Sequence, residues 1–244
     1  MNERLSETYF QKIVLMNIFQ RNLTYFLLIF ALAFTAKTQE NSPVKQIEPN
    51  IYEIGGVQIN SKTKTVVIPA TVNMAKGQIE YALVSTMGKL HESLLKTEVE
   101  PYHIHVAMLL LNIKGFDYTK YDINEKNIGG DPLAIKLEWN ENGKTKQEPL
   151  EDFIYNTRKN KPLKSSEWVY NGSRLIDGTF LAQRDRSVIA IKPDIDALIN
   201  NPVSCKENEN DWIVNTNTFH LNINDAVKVI IELKSKSDSD AKNK

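Results

Sequence analysis

The chain has 244 residues, with 30 basic and 30 acidic side chains and one cysteine. One cysteine excludes an intrachain disulfide, a thiolate-ligated iron–sulfur cluster and a four-cysteine zinc site. Residues 1–38 hold four of the basic and two of the acidic residues, so the remainder is close to neutral, without the basic excess of a nucleic-acid binder.

The first feature in chain order is an uncharged, mostly apolar run of 12 residues, Leu23–Phe34, preceded by Arg21 and followed by Thr35-Ala36-Lys37-Thr38. A positive flank, a short apolar stretch and small residues make the layout of a secretory signal peptide. The run is too short to cross a ~30 Å hydrocarbon layer, which takes about 20 apolar residues. Residues 1–38 are therefore read as a leader, with Met16 an alternative start and cleavage after Thr35 or Thr38. An uncleaved anchor is the alternative reading. No cysteine follows the run to carry a lipid, and the single Cys205 lies far downstream. The expected location is periplasmic or secreted, with the membrane involved only through the leader during export. Residues 39–50 read as an extended lead-in, 51–233 as one domain, and 234–244, made of Lys, Ser, Asp, Asn and one Ala, as a disordered tail.

Within the domain most segments read as strands. Tyr52–Ile59 and Thr65–Thr71 flank the turn Asn60-Ser61-Lys62 and suggest a hairpin. Gln78–Ser85 alternates Ile79, Tyr81 and Leu83 on one face, the pattern of a half-buried strand. Leu133–Trp139 alternates likewise and leads into Asn142-Gly143, a tight-hairpin pair. Glu167–Tyr170, Thr179–Gln183, Ser187–Ile191 and Asp211–Val214 read as short strands, and Ala226–Leu233 as a strand central to the sheet. Leu150–Tyr155 fits a helical turn or a strand.

Two segments read as helices. Pro101 suits a first helical position and Gly115 a helix end, giving a helix over 101–114 with Tyr102, Val106, Leu109 and Ile113 on the packed face and Leu110 alongside. Asp194–Asn201, between Pro193 and Pro202, reads as a short second helix. The fold class expected is α+β, a strand-dominated domain with a sandwich-like or barrel-like sheet, one main helix packed on it and a short second helix.

The densest chemistry is Gly88-Lys89-Leu90-His91-Glu92-Ser93, following a predicted strand. Lys89, His91, Glu92 and Ser93 are the candidate ligand-binding residues; His91 as a general base, oriented by Glu92 or another acid, is the enzymatic version. Adjacent residues on a strand face opposite ways, which works against a His91–Glu92 dyad. No G-x-S-x-G elbow or H-E-x-x-H helix occurs, since position 95 is leucine. His103 and His105 lie about 200° apart on a helix and do not share an ion there. No metal or other cofactor is expected. Gly129–Pro132 and Asn171–Arg174 lack phosphate-cradle spacing and read as ordinary loops, and Arg184-Asp185-Arg186 as a solvated turn. Trp139, Trp168 and Trp212 sit in strand-like runs and are expected in the core, an aromatic carbohydrate platform being the sharper alternative.

Residues 79–95 (IEYALVSTMGKLHESLL), 130–139 (GDPLAIKLEW), 167–175 (EWVYNGSRL), 193–202 (PDIDALINNP) and 211–216 (DWIVNT) together resemble the YdjY-like family of exported bacterial proteins. The resemblance spans most of residues 77–233. It implies an envelope location and a mixed, strand-rich domain, and it carries no catalytic role. Some relatives are labelled ferredoxin-like; this chain lacks the cysteines a cluster needs. The expected function is an exported, non-enzymatic binding or accessory domain for a small molecule, glycan or envelope protein. A hydrolase or metal-assisted enzyme centred on Gly88–Ser93 is the alternative. N-terminal sequencing of the mature protein is expected to start at Ala36 or Gln39; a start upstream of Phe30 refutes cleavage.

Overall fold

The computed structural model describes residues 43–121, 128–163, 168–202 and 211–234. The leader, Glu167, Cys205 and the tail beyond Lys234 lie outside the described residues. The first strand, β1 (Val44–Glu48), falls within the expected lead-in and pairs with β2 (Ile51–Ile54). The run expected as one strand, Tyr52–Ile59, is two: β2 turns at Gly55-Gly56 into β3 (Val57–Asn60). Both glycines have positive φ, +53° and +86°, the backbone of a two-residue hairpin turn. β3 then pairs with β4 (Thr65–Val72), as expected.

Next come β5 (Tyr81–Ser85) and β6 (Ser93–Thr97), which pair in parallel. The main helix α1 (Pro101–Leu110) follows. Then come β7 (Asp131–Glu141) and β8 (Lys144–Pro149), joined at Asn142-Gly143 as expected. Leu150–Tyr155 is both of its alternatives in turn, a 3-10 turn over Leu150–Phe153 and then β9 (Ile154–Asn156). β10 (Lys161–Pro162), β11 (Trp168–Tyr170), β12 (Leu175–Ile176) and β13 (Thr179–Phe180) follow. The run expected as a strand over Thr179–Gln183 bends after Phe180 into a one-turn helix, α2 (Leu181–Asp185). Its last residues, read as part of a solvated turn, end on Arg186 at φ +60°, paired with Glu100. β14 (Ser187–Ala190), β15 (Ile199–Asn200), β16 (Trp212–Val214) and β17 (Ala226–Leu233) complete the chain order.

The strands close on themselves. The ring runs β4, β17, β7, β11, β15, β14, β5, β6 and back to β4, so the sheet is barrel-like. β17 lies between β4 and β7, in the central place its sequence suggests. Alternation explains the long strands: in β4, residues Val66, Ile68, Ala70 and Val72 point inward, and in β7, Leu133, Ile135 and Leu137 do. Closure depends on β4 changing partners. Its first half pairs with β3 through residues 65–67, and its end pairs with β6 through Thr71 and Val72. Pro69 stands between, where its missing N–H leaves no orphan donor, and its carbonyl accepts from Thr97 Oγ1 at 2.6 Å.

Two helix expectations are corrected. α1 ends before Gly115, with Leu111 as its cap and Asn112 left-handed at φ +58°. Its buried face is Ile104, Ala107, Met108 and Leu111, whereas Tyr102, Leu109 and Leu110 are about half exposed, at 54%, 54% and 53%. The helix is apolar nearly all round, so its periodicity did not single out the packed side. Asp194–Asn201 is not a helix but a loop leading into β15. Asp194 and Asn200 turn their side chains onto the local backbone: Asn200 Oδ1 accepts from Asp194 N at 2.7 Å, and Asp194 Oδ1 from Asp196 N at 2.9 Å. Such bonds compete with helical pairing. β5, expected half-buried, is buried on both faces.

Gly130 just precedes β7, at φ +130°, and a Cβ there would overlap the Tyr170 carbonyl oxygen on β11. Gly130→Ala is expected to cost about 3 kcal/mol in urea unfolding. Gly143→Ala, at φ +79° with nothing within 4 Å of the added carbon, is expected to cost only about 1 kcal/mol.

Candidate functional site

The parallel pairs β5–β6 and β14–β15 are joined by unusually short crossovers, residues 86–92 and 191–198; parallel neighbours ordinarily need a dozen or more residues. Tyr81 stands opposite Ala190 in one register and Ser93 in the other. Both crossovers thus pass over the outer face of the wall at Tyr81. There Tyr81, Val84, Ala190 and Ala197 form a small cluster separate from the main core, with Leu90 packed on it. This cover explains why β5 is buried on both faces.

The first crossover brings Lys89 to Tyr81 and the second brings Asp194. Lys89 Nζ donates to the Tyr81 hydroxyl at 2.8 Å and sits 4.8 Å from the ring centroid. The Tyr81 hydroxyl donates to Asp194 Oδ2 at 2.8 Å. Burial, and then the Asp194 charge, raise the Tyr81 pKa far above its ordinary value, which keeps the phenol protonated as a donor. Glu92 Oε1 lies 3.6 Å from Lys89 Nζ. Glu80 and Lys192, 3.7 Å apart, and Tyr121 complete an open polar depression of about 350 Å³.

Behind it runs a buried network. Asn200 Nδ2 donates to the Asp194 carbonyl at 2.9 Å and to Asn171 Oδ1 at 2.6 Å. Asn171 Nδ2 donates to the Ala197 carbonyl at 2.7 Å and to the Tyr118 hydroxyl at 3.0 Å. Ser173 Oγ donates to the Asp196 carbonyl at 2.6 Å and accepts from Ala182 N at 2.9 Å, and Arg174 Nε donates to Asp196 Oδ1 at 2.7 Å. The Asn171–Arg174 turn, read as an ordinary loop, is thus the anchor of the Asp194 crossover.

The candidate residues are dispersed. Lys89 enters the depression and Glu92 steadies it. The His91 side chain is 79% exposed, and its Nε2 is 3.7 Å from Glu92 Oε2, beyond hydrogen-bond reach. Ser93 begins β6, fully buried, and donates to the Leu95 carbonyl at 2.8 Å. The backbone between is pinned by Asn73 Nδ2, which donates to the carbonyls of Leu90 (2.6 Å) and Ser93 (2.7 Å). Tyr81, Asp194, Asn171 and Asn200 were not singled out from sequence; the density of Asp and Asn between Pro193 and Pro202 was the available sign of a side-chain-bonded loop.

His103 and His105 go to opposite flanks of α1. His103 packs against the Gly55 turn. His105 Nδ1 pairs with the Tyr170 hydroxyl at 2.6 Å and its ring lies 4.8 Å from Phe180; burial lowers its pKa. Among the described residues no group of three or more His, Cys, Asp or Glu side chains is placed to hold a metal ion. Trp168 and Trp212 are core residues, and Trp139 is partly buried, edge-on to Phe153 at 6.0 Å.

Fold and site together define a strand-dominated α+β barrel with two parallel crossovers meeting over a polar depression. The chain belongs to the YdjY-domain family, whose model matches residues 57–220. That span contains Tyr81, Lys89, Asn171, Asp194 and Asn200, while the central strand β17 lies beyond it. No curated protein and no solved structure matches the chain.

Tyr118 is pushed up to about 12 by burial, and Tyr81 and Tyr170 are raised as well. Unfolded tyrosines ionise near 10, so the folded state retains protons that the unfolded state releases; stability is complete below about pH 10 and falls above it. Urea midpoints measured from about pH 8 to 11 should therefore decline, and Tyr118→Phe should flatten the decline. A midpoint that holds or rises over that range contradicts this.

Proposed function

We propose that this is an exported bacterial protein, periplasmic or secreted, whose domain works by binding rather than by catalysis, and that a small polar ligand occupies the Lys89–Tyr81–Asp194 depression. The observation that carries this reading is the fate of the Gly88–Ser93 groups. Ser93 is sealed inside a strand with its proton committed to Leu95, and His91 projects into solvent. Only Lys89 enters a cavity, held by a hydroxyl, a ring face and a carboxylate. A nucleophile needs a base within about 3 Å, and this pair is not assembled. A pre-formed depression backed by a fully bonded network suits selective binding. Export is supported by the Leu23–Phe34 run with its Arg21 flank. No described helix is long and apolar enough to cross a membrane.

Thermal-shift screening with amino acids, short peptides, sugars and small carboxylates tests the binding role. A ligand present at a hundred times its Kd stabilises by about 2.7 kcal/mol, a rise of roughly 5–10 °C for a domain this size. Lys89→Ala should abolish the rise and lower the unliganded Tm only slightly, since a half-exposed ion pair contributes under about 1 kcal/mol. Turnover of an ester or glycoside lost on His91→Ala would replace this reading with an enzymatic one.

A further inference from the structure

A second, larger concavity lies on the barrel wall, with a volume of about 660 Å³. It crosses five strands, from Lys96 on β6 through Thr71 and Pro69 on β4, Ala226 and Lys228 on β17, and Glu138 on β7, to Thr145 on β8. The register sets Lys96 beside Thr71 and Thr71 beside Ala226; one row along, Pro69 neighbours Lys228, which neighbours Glu138. Strands sit ~4.8 Å apart, so the groove is roughly 19 Å long across them.

Three properties restrict what fits there. First, β4, β17 and β7 each have strand neighbours on both sides. Their backbone groups are engaged, so across the centre of the groove recognition falls to side chains; the one strand edge is at its end, where β8 pairs with β7 alone. Second, the rim carries two ammonium and two carboxylate groups, all engaged. Lys228 Nζ donates to Glu138 Oε1 at 2.9 Å, Gln147 Nε2 to Glu138 Oε2 at 2.6 Å, Lys96 Nζ to Asn224 Oδ1 at 3.2 Å, and Thr86 Oγ1 to Glu98 Oε2 at 3.0 Å. The rim is balanced in charge, which matches a neutral occupant, while its carboxylates, Asn140 and threonine hydroxyls retain acceptor and donor capacity. Third, the exposed floor positions, Pro69 and Ala226, are small and apolar, and Trp139 is also among the lining residues. The Trp139 Nε1–H is buried and has no protein acceptor.

We propose that this groove is a second binding site, for a neutral oligosaccharide segment. Sugar rings present apolar C–H faces to a flat floor and hydroxyls to a polar rim. An acyl chain would leave the rim unused in a groove open to solvent, and a charged polysaccharide would meet as many like charges as opposite ones, two lysines and two glutamates. The site is independent of the Lys89 depression and shares no lining residue with it.

The test is amide-resolved NMR titration of the full chain with cellotetraose, maltotetraose and tetra-N-acetylchitotetraose, with decanoate and oligogalacturonate as contrasting probes. At least one neutral saccharide should bind with a Kd below about 10 mM and shift amides at 69–71, 138–140 and 226–228. Ala226→Tyr fills the floor from an exposed position and should weaken binding about tenfold or more. Lys89→Ala should leave the affinity within about twofold, which separates this proposal from the one above. No neutral saccharide binding at that concentration, shifts confined to other residues, undiminished binding by a folded Ala226→Tyr protein, or tighter binding of decanoate or oligogalacturonate each overturns it. Should Ala226→Tyr fail to fold, the shift map on the unsubstituted chain decides.

Discussion

Everything in this fold rests on one strand having two successive partners. β4 leaves β3 at Val67 and meets β6 at Thr71. At the fork a proline removes the donor that would otherwise have no acceptor, and the Thr97 hydroxyl takes up the free carbonyl. Had β4 continued along β3, the sheet would have stayed open and its end would have presented unpaired backbone, a template for aggregation. Changing partners turns the sheet into a ring with one interior. The residues that fill it (Val66, Ile68, Leu83, Leu95, Ile135, Leu137, Val229, Ile231) come from strands far apart in sequence.

Closure also dictates where chemistry can gather. A ring containing parallel neighbours needs crossovers, and these must pass outside the wall because the inside is packed. With only seven or eight residues each, they lie tightly on the outer face of β5 and β14. Tyr81 is the residue they cover, and the two chains of hydrogen bonds meet at its hydroxyl. A buried polar atom without a partner costs about 1–3 kcal/mol, so the loop is built to leave none on Asn171, Asn200 or Asp194. The outcome is a rigid rear wall behind Lys89 rather than a flexible lid, and binding there would need little ordering of the protein.

The sequence made legible the elements whose signal is local. Alternation located β4, β7 and β17, and Asn142-Gly143 located the β7–β8 hairpin. The elements it concealed were decided by contacts distant along the chain. Gly55-Gly56 is the exception, a local two-residue turn signal hidden inside an otherwise continuous β-rich run, and His103 on α1 packs where a side chain at Gly55 would stand. Apolar residues ring α1, so its packed side is selected by distant elements, β3, β4 and the one-turn helix α2. The 194–201 segment has prolines at both ends and a helix-like composition, but Asn171, more than twenty residues away, holds it open as a loop. Lys89 was recognisable as part of a dense polar segment. Tyr81 was not, because an alternating strand pattern gives no sign that a crossover will cover its outer face.

The same geometry shows why a chemically dense segment does not by itself make a reactive one. Gly88 N bonds to Ser85 O at 2.7 Å and Asn73 clamps two carbonyls of the turn, so the segment's conformation is dictated by the need to bring the chain from the end of β5 back to the start of β6. That path puts Ser93 into the wall in register with Tyr81, leaves His91 at the apex, and aims only Lys89 across the Tyr81 ring. A serine whose proton is held by a main-chain carbonyl and a histidine without an orienting acid lack the activation that nucleophilic catalysis requires. The Lys89 ammonium is instead held by the Tyr81 hydroxyl, the Tyr81 ring and Glu92 beside an open depression, and the proposed binding role rests on that arrangement. The shortness of the crossover therefore accounts both for the dispersal of the apparent catalytic set and for the pre-organisation of the one residue that remains.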